Sequence, residues 1–512
     1  MNQWILYVQL VLPVLFPVIC GLAVLGLNKK CTAAIRNKVV LFALAAEVVI
    51  TLASFGARGN EIILWYLAKD IPIAFSMDNL TVLFMALLAV VWLFAGIFSF
   101  EYMKHEDETE HAPEHTKSLS GSCFYGCYLL VLGSMNGIFL AGNLVTFYLF
   151  YEFMTVLSVP LVLHTMTKEA VYAAKKYLFY SIAGVSFAVF GFAFLYGAAG
   201  TLTFIPGGVF ANGLPQEKET ILLLSAFLMI IGFGTKAGMF PMHGWLPSAH
   251  PVAPAPASAV LSGIITKAGV LGIIRIVFYL FGVDNLAGTW VQTAFLILTL
   301  VTVFMGSMLA YKEQILKKRL AYSTVSQVSY VLFGIALMHP VALTGALLHV
   351  VCHSVMKCTL FMNAGAIIYK TERTKVADLK GIGKEMPVTM WTFAIAAVGM
   401  VGIPPFCGFI SKWYLCQGAL ESGMGVFEWL GPVVLLASAL LTAGYLVSVV
   451  INAFFPGEEY DYAGLVKKEP NSKMLLPMLL FAGMVVILGF FPQIVTGVVS
   501  DVWLQTIFGF LK

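Results

Sequence analysis

Lys236, Lys267, Lys357 and Lys412, together with Glu152, stand in stretches of the chain that are otherwise apolar. A charged side chain at the centre of a bilayer costs at least about 2.5 kcal/mol, so such groups face a bundle interior and mark ion or proton paths. One of them could be a structural pair partner; four lysines and a glutamate spread over five predicted helices are hard to explain that way. Lysine suits proton transfer because burial favours its neutral form and a nearby carboxylate favours its charged form. If Glu152 approaches Lys236, the ion pair holds the proton, and opening of the pair releases it. His243, His250, His349 and His353 add groups that titrate near neutrality. In HVVCHSVMK, His349, His353 and Lys357 recur at a spacing of four, so they line one helical face. A lone histidine inside a membrane is more often a hydrogen-bonded packing residue; two histidines and a lysine in one stripe read as functional. Glu47 and Arg275, the latter near a helix end, are each balanced between the two roles, with snorkelling as the simple alternative for Arg275.

Two helices must be broken beside these lysines. Lys236 is followed by prolines at 241, 247, 251, 254 and 256, and Lys412 is preceded by Gly402, Pro404, Pro405 and Gly408. Such interruptions expose backbone groups, which a membrane tolerates only inside protein or along a wet cavity. Interrupted helices in corresponding places of two halves mark an inverted-repeat transporter.

The elements that carry these residues are membrane spans. Of 512 residues, 60% are hydrophobic and 11% charged, so apolar segments face lipid and no room is left for a soluble catalytic domain. A span needs about 20 apolar residues. Apolar runs predict about 14 spans, beginning near residues 5, 38, 79, 121, 144, 173, 219, 256, 288, 320, 341, 387, 429 and 474. The first run, from Ile5, has neither a basic flank nor a cleavage site of small residues and reads as a span rather than a signal peptide. With the N-terminus outside, 21 of the 30 basic residues fall in cytoplasmic loops, among them Lys29, Lys30, Lys317, Lys318, Arg319, Arg373 and Lys375. That bias sets the orientation, and the net charge of +4 reflects it without any nucleic-acid patch. On this count Lys236 lies on span 7, running inward, and Lys412 on span 12, running outward. The expected fold is an all-α polytopic membrane protein with two broken helices and two inverted five-helix repeats. Residues 1–120 hold three helices and an external hairpin over Glu61 to Phe75, turning at Lys69-Asp70. Residues 121–281 form the first repeat, 282–455 the second, and 456–512 a last helix and tail. The acid- and histidine-rich stretch His105 to Lys117 reads as a solvated loop, and the scattered cysteines, Cys123 and Cys127 included, as packing residues.

At the same residues the sequence resembles the antiporter-like membrane subunits of respiratory complex I, of membrane-bound group 4 [NiFe] hydrogenases and of multi-subunit Mrp sodium/proton antiporters. The resemblance runs from about Phe75 to about Leu420. NLVTFYLFYE carries Glu152, and GFGTKAGMFPMHGWLPSAHPVAPAPASAVLSGIITK carries Lys236, His243, His250 and Lys267. KKRLAYSTVSQ, HVVCHSVMK, DLKGIGKEMP and GIPPFCGFISK follow in the family's order. The resemblance implies a 14-helix fold in which Glu152 and Lys236 form a gating pair, Lys267 and the His349/His353/Lys357 stripe connect the halves, and Lys412 is the terminal site. In some members that last residue is glutamate; here it is lysine. The tail after the last span is too short for the long lateral helix of one complex I member.

Three functions compete. The first is a proton-translocating subunit of a redox-driven complex, complex I-like or an energy-converting hydrogenase, in a bacterial or archaeal cytoplasmic membrane. This chain has neither an iron–sulfur cysteine spacing nor a dinucleotide fingerprint. It is therefore expected to bind no cofactor itself, with Fe–S clusters, and NiFe in the hydrogenase case, in partner subunits. Those partners are other antiporter-like or channel subunits and a peripheral redox arm. The second is a subunit of an Mrp-type antiporter, exchanging Na⁺ and H⁺ without redox chemistry. The third is a solitary solute carrier, for which the centre of the chain supplies only proton-carrying groups. Glu152 and the hydroxyls near it serve H⁺ or Na⁺ equally by residue type.

Overall fold

The computed structural model describes residues 3–26, 32–69, 71–108, 118–457, 465–499, 504 and 506–508, with the backbone alone for 105–108. Lys29, Lys30, Asp70, the charged loop from His105 to Lys117, and Lys512 therefore lie outside the described residues, wholly or in their side chains.

A helix begins within five residues of every start expected from the apolar runs. In chain order these are α1 (Gln3–Gly26), α2 (Ala33–Ser54), α3 (Asn79–Glu108), α4 (Gly121–Leu140), α5 (Leu144–Leu163), α6 (Lys168–Ala199) and α7 (Glu219–Ala237). A short α8 (Leu246–Val252) precedes α9 (Ala255–Phe281), and α10 (Trp290–Lys312), α11 (Leu316–Ala336) and α12 (Pro340–Thr371) follow. The chain continues through α13 (Pro387–Val401), α14 (Cys407–Leu420), α15 (Val426–Phe454) and α16 (Ser472–Phe490). Twelve helices among the described residues are long and apolar enough to cross a membrane, so the protein is a multi-pass membrane protein. The other two expected spans depart from a plain apolar helix for visible reasons. Helix α11 has Lys317, Lys318 and Arg319 in its first turn and a run of hydroxyl residues beyond. The twelfth is two short helices, α13 and α14, separated by a break.

Both predicted breaks are present. Helix α7 ends at Gly238, whose φ of +80° only glycine adopts without strain, and α13 ends at Gly402 with φ +91°. A side chain at Gly408 would collide with the carbonyl oxygen of Gly399, so the missing side chain lets α14 approach the end of α13. Small residues make the same kind of close approach between α6 and α7, where Gly184 faces Thr235 and Gly232 faces Ala188. The other side of α6 presents Phe179, Ile182 and Phe190 outward, as expected of a lipid-facing surface.

The hairpin is also as expected. β1 (Glu61–Ala68) pairs antiparallel with β2 (Ile71–Ser76), with Glu61 opposite Ser76 and Ala68 opposite Ile71. It docks on the α4–α5 junction, where Ala74 N donates to Thr146 Oγ1 at 3.0 Å and Gly142 N donates to Ala74 O at 2.9 Å.

Candidate functional site

Glu152 and Lys236 come from α5 and α7. The start of α5 is fixed by Asn143, whose side chain accepts from Thr146 N at 2.8 Å, and α6 by Thr167, which accepts from Ala170 N at 3.2 Å. These caps set the register that brings Glu152, Tyr177 and Ser181 toward α7. Lys236 is 1% exposed. Its Nζ donates to Tyr177 Oη at 2.8 Å and to Ser181 Oγ at 3.2 Å, and it lies over the rings of Tyr177, Tyr151 and Trp245 at 4.3, 5.6 and 5.8 Å. Cation–π contact of this kind favours an ammonium in a place with little water. Glu152 feels the charge of Lys236, but no ion pair within 4 Å joins them among the described residues. The direct pair expected from sequence is replaced by hydroxyl contacts, and Glu152 Oε1 is buried without a hydrogen-bond partner.

The second cluster links α9, α12 and α14. Lys267 lies on α9 directly after a π-helical turn over Leu261–Ile265, an irregularity that often accompanies function. Its Nζ donates to Ser262 O at 2.7 Å and lies 2.8 Å from Nδ1 of His353 on α12. His353 stacks on His349 with ring centroids 6.0 Å apart, and His349 Nδ1 is 2.9 Å from Ser411 Oγ on α14. The Nε2 atoms of His349 and His353 are both buried and free of partners. Lys412, the next residue after Ser411, donates to Met400 O at 2.8 Å and Val401 O at 2.9 Å, at the broken end of α13. Tyr330 ties this end together, stacking on His349 at 5.5 Å and lying 5.0 Å from Lys412 Nζ.

The remaining expected residues are placed differently. Lys357 is fully buried on the same face of α12 and donates to Leu320 O at 2.9 Å, making no hydrogen bond to either histidine among the described residues. His250 is fully buried, stacks on Phe361 at 4.7 Å and has both ring nitrogens free of partners. His243 sits in the break after α7, stacked on Phe240 at 6.0 Å. Arg275 does not snorkel: it is 2% exposed and paired through Nη1 with Asp78 Oδ2 at 2.5 Å, with Tyr279 Oη donating to the same oxygen at 3.0 Å. Lys317 and Arg319, assigned to a loop from sequence, are each 5% exposed. Lys317 donates to Pro251 O and Ala253 O at the end of α8, and Arg319 to Glu313 O after α10 and to Tyr445 O in the π turn of α15, carbonyls at places where the helices end or are distorted.

Two cavities of about 510 Å³ each lie at the ends of this system. One is lined by Lys168, Pro247, Ser248 and Lys318 beside the first break; the other by Pro340, Thr344, Tyr414 and Thr496 beside α14.

A protein-family model described as "NADH:quinone oxidoreductase/Mrp antiporter, TM" matches residues 141–442. The chain belongs to this family. A second model, "NADH-Ubiquinone oxidoreductase (complex I), chain 5 N-terminus", matches residues 65–111. NADH-quinone oxidoreductase subunit N of Desulforudis audaxviator is 32% identical over 96% of this chain and 97% of its own length. A Na(+)/H(+) antiporter subunit of Alkalihalophilus pseudofirmus is 27% identical over 94% of this chain and 93% of its own. A chain in the structure of the membrane-bound sulfane sulfur reductase, an archaeal respiratory membrane complex, shares the fold with a TM-score of 0.84 at 22% identity, over 97% of each chain.

Within this family frame, Tyr177, Ser181, Ser411, Tyr330 and Asp78 are site neighbours that sequence reasoning passed over. Tyr177 and Ser181 are four apart on α6 and so share a face, and Ser411 adjoins Lys412; those spacings were the available signals. Nothing in the local sequence pairs Asp78 with Arg275, which is 197 positions away.

Proposed function

We propose that this chain is the proton-translocating membrane subunit of a redox-driven, multi-subunit complex. The observation that carries the reading is the Lys267–His353 contact at 2.8 Å, which joins the Lys236 half to the Lys412 half at the centre of the bundle. A proton leaving the Lys267 ammonium has an acceptor in the histidine nitrogen beside it. From there the His353–His349 stack and Ser411 lead to Lys412, with free Nε2 atoms at which water can bind. At the other end, Lys236 exchanges protons under the influence of Glu152: when the carboxylate swings in, the ammonium is favoured, and when it swings out, the proton is released toward Lys267. The cavity beside the first break and the cavity beside α14 suit a supply route and an outlet on opposite faces.

On this reading the two breaks belong to two five-helix halves of opposite direction, spans 4–8 and 9–13, and the end carrying Lys312, Lys318 and Arg319 is cytoplasmic. The membrane is the bacterial or archaeal cytoplasmic membrane, with the N-terminus outside. The chain works without a cofactor of its own; Fe–S clusters belong to a peripheral redox arm, and other antiporter-like subunits flank it. The full-length likeness to a Na(+)/H(+) antiporter subunit supports the second reading, an Mrp-type exchanger. Purification of the intact complex from its native membrane decides: co-purifying iron–sulfur subunits and substrate-driven acidification of vesicles support the first reading. Small membrane subunits alone, with Na⁺-dependent proton movement, would replace it with the second.

A further inference from the structure

The second half contains a polar column that the relay above does not use. It lies between α10, α11 and α15. Ser307, Ser326 and Ser438, one from each helix, are completely buried and mutually in contact: Ser307 Oγ is 2.8 Å from Ser326 Oγ and 2.5 Å from Ser438 Oγ, and Ser326 Oγ is 3.2 Å from Ser438 Oγ. Toward the membrane centre, the Tyr330 hydroxyl lies against Ser438 and Gln327 and donates to Leu435 O at 2.7 Å. The Tyr330 ring meets both His349 and Lys412. One turn the other way, Tyr445 Oη donates to Ser323 Oγ at 2.8 Å, with Thr442 Oγ1 at 3.3 Å. Beyond it, Arg319 Nη1 donates to Tyr445 O at 2.9 Å, at the end of the bundle that carries Lys312 and Lys318.

Three features set the column apart from ordinary helix glue. Serine hydroxyls that only bond their own helix backbone have fixed direction; Ser326 Oγ can donate to Val303 O at 2.8 Å, but it also meets Ser307 and Ser438, and in the Ser307–Ser326 and Ser307–Ser438 contacts either oxygen can be the donor. Reversible direction is what a proton hop requires: each oxygen takes a proton on a lone pair and passes its own proton on, with no net change in the hydroxyl. Next, Gln327 is fully buried, yet neither of its amide atoms makes a hydrogen bond of good geometry. A buried amide satisfied only by a poorly aligned contact with Tyr330 is a water-binding group, because leaving its remaining donors and acceptor dry costs about 1–3 kcal/mol. Finally, α15 makes a π turn over Ala443–Val447 where Tyr445 enters the column, a distortion that an apolar helix has no reason to carry.

We propose that Tyr330, Gln327, Ser438, Ser307, Ser326, Tyr445 and Ser323 form a proton branch connecting the Lys412–His349 site to the basic end of the bundle. The second half thereby has its own supply from that end and does not depend wholly on protons arriving through Lys267. This inference rests on the relay reading given above. The column contains no carboxylate, so its chemistry fits a proton carried by hydroxyls and water and not a resident metal cation.

The test uses the assembled complex in liposomes, with a pH-sensitive dye reporting proton movement. Ser307→Ala combined with Ser438→Ala is expected to slow translocation about tenfold or more, and Ser438→Thr, which keeps the hydroxyl, to stay near wild type. Wild-type movement in the double variant, alongside loss in Lys236→Ala, overturns the branch and leaves the relay standing. Wild-type movement in Lys236→Ala overturns the relay reading and the branch with it. If the double variant does not assemble, Ser438→Cys decides: modification by a small water-soluble methanethiosulfonate applied at the basic end supports the column, and protection at saturating reagent overturns it.

Discussion

The two lysines beside the two breaks are held in opposite ways. Lys236 is surrounded by side chains: two hydroxyls, three aromatic rings and the charge of Glu152. Lys412 is held by main chain, its ammonium donating to the last carbonyls of α13, with Tyr330 as its one aromatic contact among the described residues. Side chains rotate, and a carboxylate can move toward or away from an ammonium. The carbonyls at a helix end cannot move without unwinding the helix, and they carry the negative end of its dipole. On the proposed reading, the first site is therefore suited to change its hold on a proton, and the second to keep a constant field on its lysine.

The largest effect follows from the first site. Lys236→Ala removes the group that Tyr177, Ser181 and Glu152 all address, and proton movement in the reconstituted complex is expected to fall about 100-fold or more while assembly persists. Glu152→Gln keeps the shape and removes the charge that switches the lysine, with an expected loss of about tenfold. If Glu152→Gln pumped at the wild-type rate while Lys236→Ala did not, the contrast between a switched and a fixed lysine would be lost.

Lys412 tests the other side. Two carbonyl oxygens face this position, so a carboxylate placed there meets two acceptors where the ammonium met them as a donor. Lys412→Glu is expected to be as damaging as Lys412→Ala, about tenfold or more. Full activity in Lys412→Glu, measured by the same vesicle assay, would mean that the carbonyls do not define the site. Between the two lysines, His353→Ala leaves Lys267 with Ser262 O alone and is expected to slow movement several-fold. The smaller figure reflects water taking over part of the histidine's role in a polar gap.

What could be read from sequence divides along the same line. The positions of Lys236 and Lys412, and the glycines and prolines that break their helices, are local signals, and both breaks fall where Gly238 and Gly402 require them. The hydrophobic runs placed the helices because lipid leaves the backbone few alternatives to helix. Pairings between distant helices were not legible. Asp78 finds Arg275 across 197 positions, and Lys317 and Arg319 turn inward to carbonyls at helix ends and a π turn. Charge counting treats such residues as loop bases because composition cannot see which carbonyls of distant helices come within reach. The expected Glu152–Lys236 pair illustrates the same limit: Glu152 lies near enough to feel the lysine's charge, but the lysine's hydrogen bonds go to hydroxyls from α6.

Glu47 sharpens the comparison from outside the path. It is 2% exposed on α2, where Oε1 accepts from Asn136 Nδ2 at 2.8 Å and Thr51 Oγ1 at 3.4 Å, and Asn136 also donates to Pro13 O at 2.8 Å. Pro13 O is a carbonyl that lost its helical partner to Pro17. Asn136 thus ties α1 to α2 through Pro13 O and Glu47, which supplies the acceptor on α2. No lysine or histidine among the described residues bonds to it, unlike Lys267 with His353. Glu47→Gln preserves the acceptor oxygen, so movement is expected to change by less than about twofold, with Glu47→Leu lowering the yield of assembled complex through the orphaned Asn136 amide. A loss in Glu47→Gln as large as in Glu152→Gln would show that buried carboxylates in this bundle act alike, and that the hydroxyl and aromatic setting of Lys236 is not what makes its site distinct.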